Sequence, residues 1–212
     1  MEKTYFVFTD AEKIFAQDNP RVKKIYQETL GWPGNTLFRF RMFNTQIDLL
    51  KEFDYIFFFN ANMRFVTGID EDILPTEEEG LLAVQHPGFF AANNLQFSYD
   101  RNPKTHAFIP YGAGKFYVMG GFQGGTGTAF IKSIKTINEW TNDDYSKGLI
   151  PLWHDESYWN RYILDHPYKM LSPAYGFPEG WINSPFECKI LILDKNKCGG
   201  HSFLRGQKSA PK

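Results

Sequence analysis

The stretch Phe57-Phe58-Phe59-Asn60-Ala61-Asn62 is where this chain first offers chemistry. Four apolar residues, Ile56 to Phe59, end abruptly in two asparagines spaced i, i+2. A buried strand that delivers side chains to a ligand has this pattern. In open α/β sheets, ligands bind just outside the carboxyl ends of such strands. Asn60 and Asn62 keep the shape of aspartates without the charge, so a hard divalent cation loses its best ligands there. The spacing is that of a cation site, and the charge is missing.

A second dense cluster is Trp153-His154-Asp155-Glu156-Ser157. Two carboxylates and an imidazole stand together at an expected helix start. Packed ionisable groups mark functional sites, yet acidic residues in a first turn also complement the helix dipole. His154 with Glu156 as a metal pair is a weak H-x-E signal. His86-Pro87-Gly88-Phe89 follows an expected strand and reads as a rigid turn. Gly120, Gly121, Gly124 and Gly125 read as a strand running into a glycine-rich turn whose spacing is neither GxGxxG nor a P-loop. Glycine there lets a ligand approach the backbone closely. Arg39, Arg41, Lys195, Lys197 and Arg205 are candidate phosphate partners, although a solvated face is the commoner fate of such charges.

These residues need elements to position them. Tyr5 to Thr9 reads as a short buried strand and Lys23 to Gln27 as a second. Asn35 or Thr36 caps an expected helix to about Phe53, because Leu37, Phe40, Phe43, Ile47 and Leu50 recur at steps of three and four. Tyr55 to Phe59 follows as a central strand. Leu81 to Val84, Phe116 to Met119 and Ile190 to Leu193 read as further strands. Phe130, Ile134, Ile137 and Trp140 define a second amphipathic helix, and Asp155 to Asp165 a third. Alternating strands and helices predict an α/β fold with a mixed, Rossmann-like sheet flanked by helices.

The 212 residues suit one domain with a sizeable core, taken as 1–212 with a basic tail from Asp194. The net charge of −1 argues against bulk nucleic-acid binding or an acidic membrane surface. No apolar run is long enough to span a bilayer and Met1-Glu2-Lys3 opens no signal peptide, so a cytoplasmic setting is expected. Two cysteines make no disulfide framework. Aromatics reach 17%. Most of the phenylalanines are assigned to the core, while exposed Trp and Tyr rings would suit stacking on sugars.

Taken together, the motifs resemble glycosyltransferase family six, which includes the ABO histo-blood-group transferases, the α1,3-galactosyltransferase and metal-independent bacterial relatives. The resemblance runs from Phe6-Val7-Phe8-Thr9-Asp10 to Asp194-Lys195-Asn196. It includes Leu30-Gly31-Trp32-Pro33, Phe59-Asn60-Ala61-Asn62, His86-Pro87-Gly88-Phe89, Phe97-Ser98-Tyr99-Asp100-Arg101, Met119-Gly120-Gly121-Phe122, Trp153-His154-Asp155-Glu156-Ser157 and Leu171-Ser172-Pro173. The bacterial branch is closer, because it carries Asn-x-Asn where animal members carry Asp-x-Asp.

The resemblance implies a single-domain glycosyltransferase-A-like fold. It also implies a retaining transfer of GalNAc from UDP-GalNAc, in α1,3 linkage, to a fucosylated, H-antigen-like β-galactoside. Glu156 matches the family's catalytic carboxylate. Arg39, Asn60, Ala61, Asn62, Met119, Gly120, Gly121, Asp155, Lys195 and Arg205 match the donor side. His86, Phe89, Ser98, Trp153 and His154 match the acceptor side. No metal cofactor is expected, Asn60 and Asn62 replacing the metal ligands. Gly121 is expected to leave room at the sugar C2 substituent, with UDP-Gal as the alternative donor. Relatives have an earlier strand and helix, and the chain opens almost inside a strand, so that first β-α unit is expected to be lacking. A non-catalytic glycan-binding module is the alternative of another class. A glycosidase is disfavoured, because adjacent residues of one helix do not flank a glycosidic bond.

Overall fold

A computed structural model describes residues 1–200. Its elements run β1 (Tyr5–Thr9), β2 (Val22–Tyr26), α1 (Gly31–Leu37), α2 (Arg39–Asn44), α3 (Ile47–Leu50), β3 (Tyr55–Phe59), β4 (Met63–Phe65), β5 (Leu81–Gln85), β6 (Val118–Thr126), α4 (Gly127–Ser146), α5 (Asp155–Leu164), β7 (Tyr168–Leu171), β8 (Phe177–Pro178) and β9 (Ile190–Ile192). Strands and helices alternate in a mixed α/β architecture. β1 and β2 pair in parallel. The main sheet has the order β3-β6-β5-β7, with β6 antiparallel to both neighbours and β5 parallel to β7. A third sheet has the order β4-β9-β8, with β9 antiparallel to β4 and parallel to β8.

The run Leu81-Leu82-Ala83-Val84 shows why β5 is interior. Leu81 and Ala83 belong to one apolar cluster and Leu82 and Val84 to another, so its two faces feed two cores. The first core packs Phe40, Phe130, Ile134, Ile137 and Trp159 from the helices. The second gathers Met119, Phe122, Leu171 and Ile190.

Three expectations are corrected. The helix expected from Asn35 or Thr36 to Phe53 is three short helices, broken at Phe38 (φ −97°, ψ 19°) and Gln46 (φ −113°, ψ 15°). At the second break Asn44, Thr45 and Gln46 disfavour a continued helix, and the Thr45 hydroxyl bonds back to the Met42 carbonyl at 2.7 Å. The apolar spacing survives because all three pieces face the same core. β3 is an edge strand of the main sheet, not a central one, since β6 is its one partner there. The glycine-rich stretch after Met119 is not a turn but the body of β6. A Cβ on Gly124 would strike the Phe57 ring and the Ile56 carbonyl, and one on Gly125 would strike the Gly80 carbonyl. These two glycines admit neighbouring strands, not a ligand.

Candidate active site

Glu156 is the centre of the site. It lies in the first turn of α5, half-buried, with Asp155 fully buried beside it. The Tyr117 hydroxyl donates to Glu156 Oε1 at 2.8 Å, and the Gly120 N–H donates to Oε2 at 2.7 Å. Asn160, one turn on, accepts from Val118 N–H at 3.0 Å and donates to the Val118 carbonyl at 2.8 Å, so α5 is clamped onto β6. A Cβ on Gly120 would come within 2.9 Å of the Glu156 Cβ. Glycine at 120 is therefore what lets the carboxylate lie against the strand.

The residue before the helix has an uncommon backbone. His154 sits at φ 54°, ψ −122°, a region that side-chain-bearing residues rarely adopt. Its ring is held by the Thr36 hydroxyl at 3.2 Å from Nδ1 and by the Trp32 ring at 4.7 Å. The loop ahead is fixed by Asp100, which accepts from Leu152 N–H at 2.8 Å. The bend at His154 aims Asp155 and Glu156 inward, while Trp153 stays 48% exposed.

Arg39, the first residue of α2, links this helix to the Asn-x-Asn turn. Its guanidinium pairs with Asp155, donates to the Gly120 carbonyl at 3.2 Å and to Asn60 Oδ1 at 3.2 Å, and lies 4.4 Å from the centre of the Phe58 ring. Burial pushes the Asp155 carboxyl up to about 7, against the opposing pull of Arg39. Burial also raises Glu156, while the Gly120 N–H, the Tyr117 hydroxyl and Arg39 oppose it. Tyr117 itself is held protonated well beyond the ordinary phenol range, first by burial and then by the Glu156 charge. Its O–H is thus a permanent donor.

Asn60 Oδ1 is occupied by Arg39, and Asn62 turns its amide nitrogen to the Leu193 carbonyl at 3.0 Å. A guanidinium and an N–H donor are a poor shell for a divalent cation, which needs oxygen ligands. The space over Gly121 is also taken. A Cβ there would meet Asn60 Nδ2 and the Met119 methyl, each at 2.8 Å, and Met119 is buried in the second core. Both are ends of flexible side chains, so the room expected at Gly121 depends on their rotamers.

The acceptor-side residues form a neighbouring wall. His86 packs on Phe89 (5.2 Å) and on Tyr117 (5.6 Å), and Phe89 packs on Tyr117 (4.6 Å). Ser98 lies beside the Tyr117 hydroxyl and opposes the upward pull that burial exerts on it. Burial lowers His86 to about 4, so its ring is neutral and Nδ1 accepts the Gly88 N–H at 3.0 Å. Tyr117 thus touches both groups of residues. Neither its role nor that of Asn160 was evident from the sequence. Tyr117 sits in an apolar-looking run, and Asn160 lies one turn beyond Glu156, the i+4 spacing that could have flagged it. Lys195 begins a short 3-10 turn, Lys195–Cys198, two residues after the Leu193 contact. Arg205 lies outside the described residues. Among the described residues, no helix is long and apolar enough to cross a membrane.

A half-buried carboxylate pinned by two donors, beside a buried arginine–aspartate pair on a mixed α/β scaffold, fits a glycosyltransferase-A-like sugar-transfer enzyme. The family model for glycosyltransferase family 6 matches residues 4–198, and the chain belongs to that family. The O-antigen biosynthesis glycosyltransferase WbnI of Escherichia coli is 34% identical over 195 residues, covering 92% of this chain and 82% of that protein. The histo-blood group ABO system transferase 1 of Rattus norvegicus is 30% identical, covering 91% of this chain and 57% of its own length. The globoside alpha-1,3-N-acetylgalactosaminyltransferase 1 of Gallus gallus is 29% identical, with 91% and 58% covered. The chain thus spans little more than half of these two vertebrate relatives. Membership makes it a hexosyltransferase with a UDP-sugar donor and a sugar acceptor.

Proposed function

We propose that this protein is a retaining, metal-independent α1,3-N-acetylgalactosaminyltransferase that uses UDP-GalNAc and a β-galactoside, fucosylated as in the H antigen. The observation that carries the proposal is the Glu156 carboxylate, held by Tyr117 and Gly120 next to the Arg39–Asp155 pair. In the reaction the sugar C1–O bond to UDP breaks, and its electron pair leaves on the diphosphate. C1 becomes oxocarbenium-like, and the acceptor O3 forms the new bond to C1 as its hydroxyl proton passes to the departing diphosphate oxygen. Glu156 offsets the positive charge at C1 or attacks it to form a covalent glycosyl-enzyme. Lys195, Arg39 and Arg205 meet the negative charge on the diphosphate in place of a metal, with Asn60 and Asn62 as neutral partners. His86, Phe89, Ser98, Trp153 and His154 serve the acceptor. The name of the Gallus gallus relative supports the sugar and the linkage.

A second reading is UDP-Gal, which has no acetamido group to place beside the Asn60 and Met119 side chains over Gly121. Initial rates with UDP-GalNAc and UDP-Gal, on fucosylated and plain β-galactosides with and without EDTA, test the proposal. The expected result is preferred GalNAc transfer, unchanged by EDTA. Preference for UDP-Gal would overturn the donor assignment, and loss of rate in EDTA restored by Mn²⁺ would overturn metal independence. Glycan binding with neither UDP binding nor transfer would replace the enzyme with a lectin.

A further inference from the structure

The C-terminal segment is rooted on the turn that carries the two asparagines. Leu193 donates its N–H to the Asn62 carbonyl at 2.8 Å, and Asn62 Nδ2 donates to the Leu193 carbonyl at 3.0 Å. Asn62 therefore grips both polar groups of one residue, where β9 ends. A second grip follows. Glu179 Oε2 accepts from Asp194 N–H at 2.9 Å, and Oε1 accepts from Lys197 Nζ at 2.5 Å. The Glu179 N–H in turn donates to the Ile192 carbonyl at 2.9 Å. Asp194 Oδ1 accepts from Asn196 N–H at 2.9 Å and so starts the 3-10 turn. Lys195 stands between Asp194 and Lys197, both held by one carboxylate.

We infer that Asn62 and Glu179 are positioning residues that fix where Lys195 stands, and that residue 62 is an amide because its N–H is needed. This rests on the reading that Lys195 acts at the donor diphosphate. An ionised carboxylate at 62 offers acceptors alone. It would face the Leu193 carbonyl oxygen across a hydrogen-bond distance, acceptor against acceptor, with a negative charge added. Replacing Asn62 by aspartate therefore unseats the segment instead of creating a metal site. Glu179 acts by charge as well as by bonding, since Lys197 gives it an ion pair next to the backbone bond.

The test uses the full chain with Asn62→Asp, Asn62→Ala, Glu179→Gln and Lys195→Ala. Hydrogen exchange of the amides from 193 to 197 is measured without substrate, and kcat and KM for the donor are measured with and without Mn²⁺. The expected result is faster exchange in all three tether variants, with Asn62→Asp the fastest and the melting temperature little changed. Their kcat falls about tenfold, the value of one lost hydrogen bond in rate, with KM less affected. Mn²⁺ restores none of them. Wild-type exchange in Asn62→Asp, or its rescue by Mn²⁺, would overturn the inference. Lys195→Ala separates the two readings. If it keeps its turnover while the tether variants loosen the segment, the tether stands and the role of Lys195 falls. If it loses turnover while the tether variants neither loosen nor slow, the tether falls.

Discussion

Tyr117→Phe removes a single oxygen from the centre of the site. The Tyr117 side chain is 1% exposed, and its ring packs on Phe89 at 4.6 Å and on Tyr99 at 5.2 Å. Phenylalanine keeps those ring contacts, so the fold is retained. What is lost is one of the two donors that hold Glu156, the 2.8 Å bond to Oε1. A hydrogen bond to a charged group is worth about 1.5–3 kcal/mol. Its loss raises the Glu156 carboxyl further above the ordinary carboxylate range, where burial already puts it. The sign follows from the donor stabilising the anion, which its loss disfavours. The acid limb of the kcat/KM profile therefore moves to higher pH. At a pH above both limbs, loosened placement of the carboxylate lowers kcat by about tenfold to a hundredfold. A pH–rate profile with a thermal-melt control measures both. A folded variant with the wild-type acid limb and wild-type kcat would refute a catalytic Glu156 held by Tyr117.

Other perturbations have equally definite outcomes. Arg39→Ala leaves Asp155 buried without its partner, and urea unfolding is expected to show a loss of about 3–5 kcal/mol. Gly124→Ala forces a methyl into the Phe57 ring and the Ile56 carbonyl, and the same assay is expected to show a loss of about 1–3 kcal/mol. Asp155 has its folded pKa raised from 3.8 to about 7, so the folded state holds an extra proton between those values. Its contribution to stability is present below the lower value and lost as pH rises through the upper one. Asp155→Asn is expected to flatten the stability–pH curve across that window, measured by denaturant midpoints.

The strands were legible where apolar residues dominate. Tyr5–Thr9 and Tyr55–Phe59 have the bounds the sequence puts on them, and the strand expected at Leu81 to Val84 runs one residue further, to Gln85. β6 was legible only at its start, Val118 and Met119, because the glycines after it signal a turn locally and their reason for being in a strand is the neighbour's backbone. The broken helix was misread because periodicity reports a shared buried face and not chain continuity. In the site, Asp155, Glu156, Arg39 and Asn60 do converge. The partner of Glu156 stayed hidden because an interior tyrosine looks like packing until its hydroxyl is traced. The direction of the Asn62 amide was equally hidden, since its partner is a carbonyl 131 positions away.

The glycine at 121 has a consequence for how this enzyme could change. Its absent side chain is the berth of the Asn60 amide, and Asn60 in turn takes one arm of Arg39. A larger residue at 121 would turn aside the Asn60 amide and the Met119 methyl, and Asn60 would then release its arm of Arg39. Substitution at 121 is therefore felt first in the hold on Arg39, and a change at 60 or 119 modulates it.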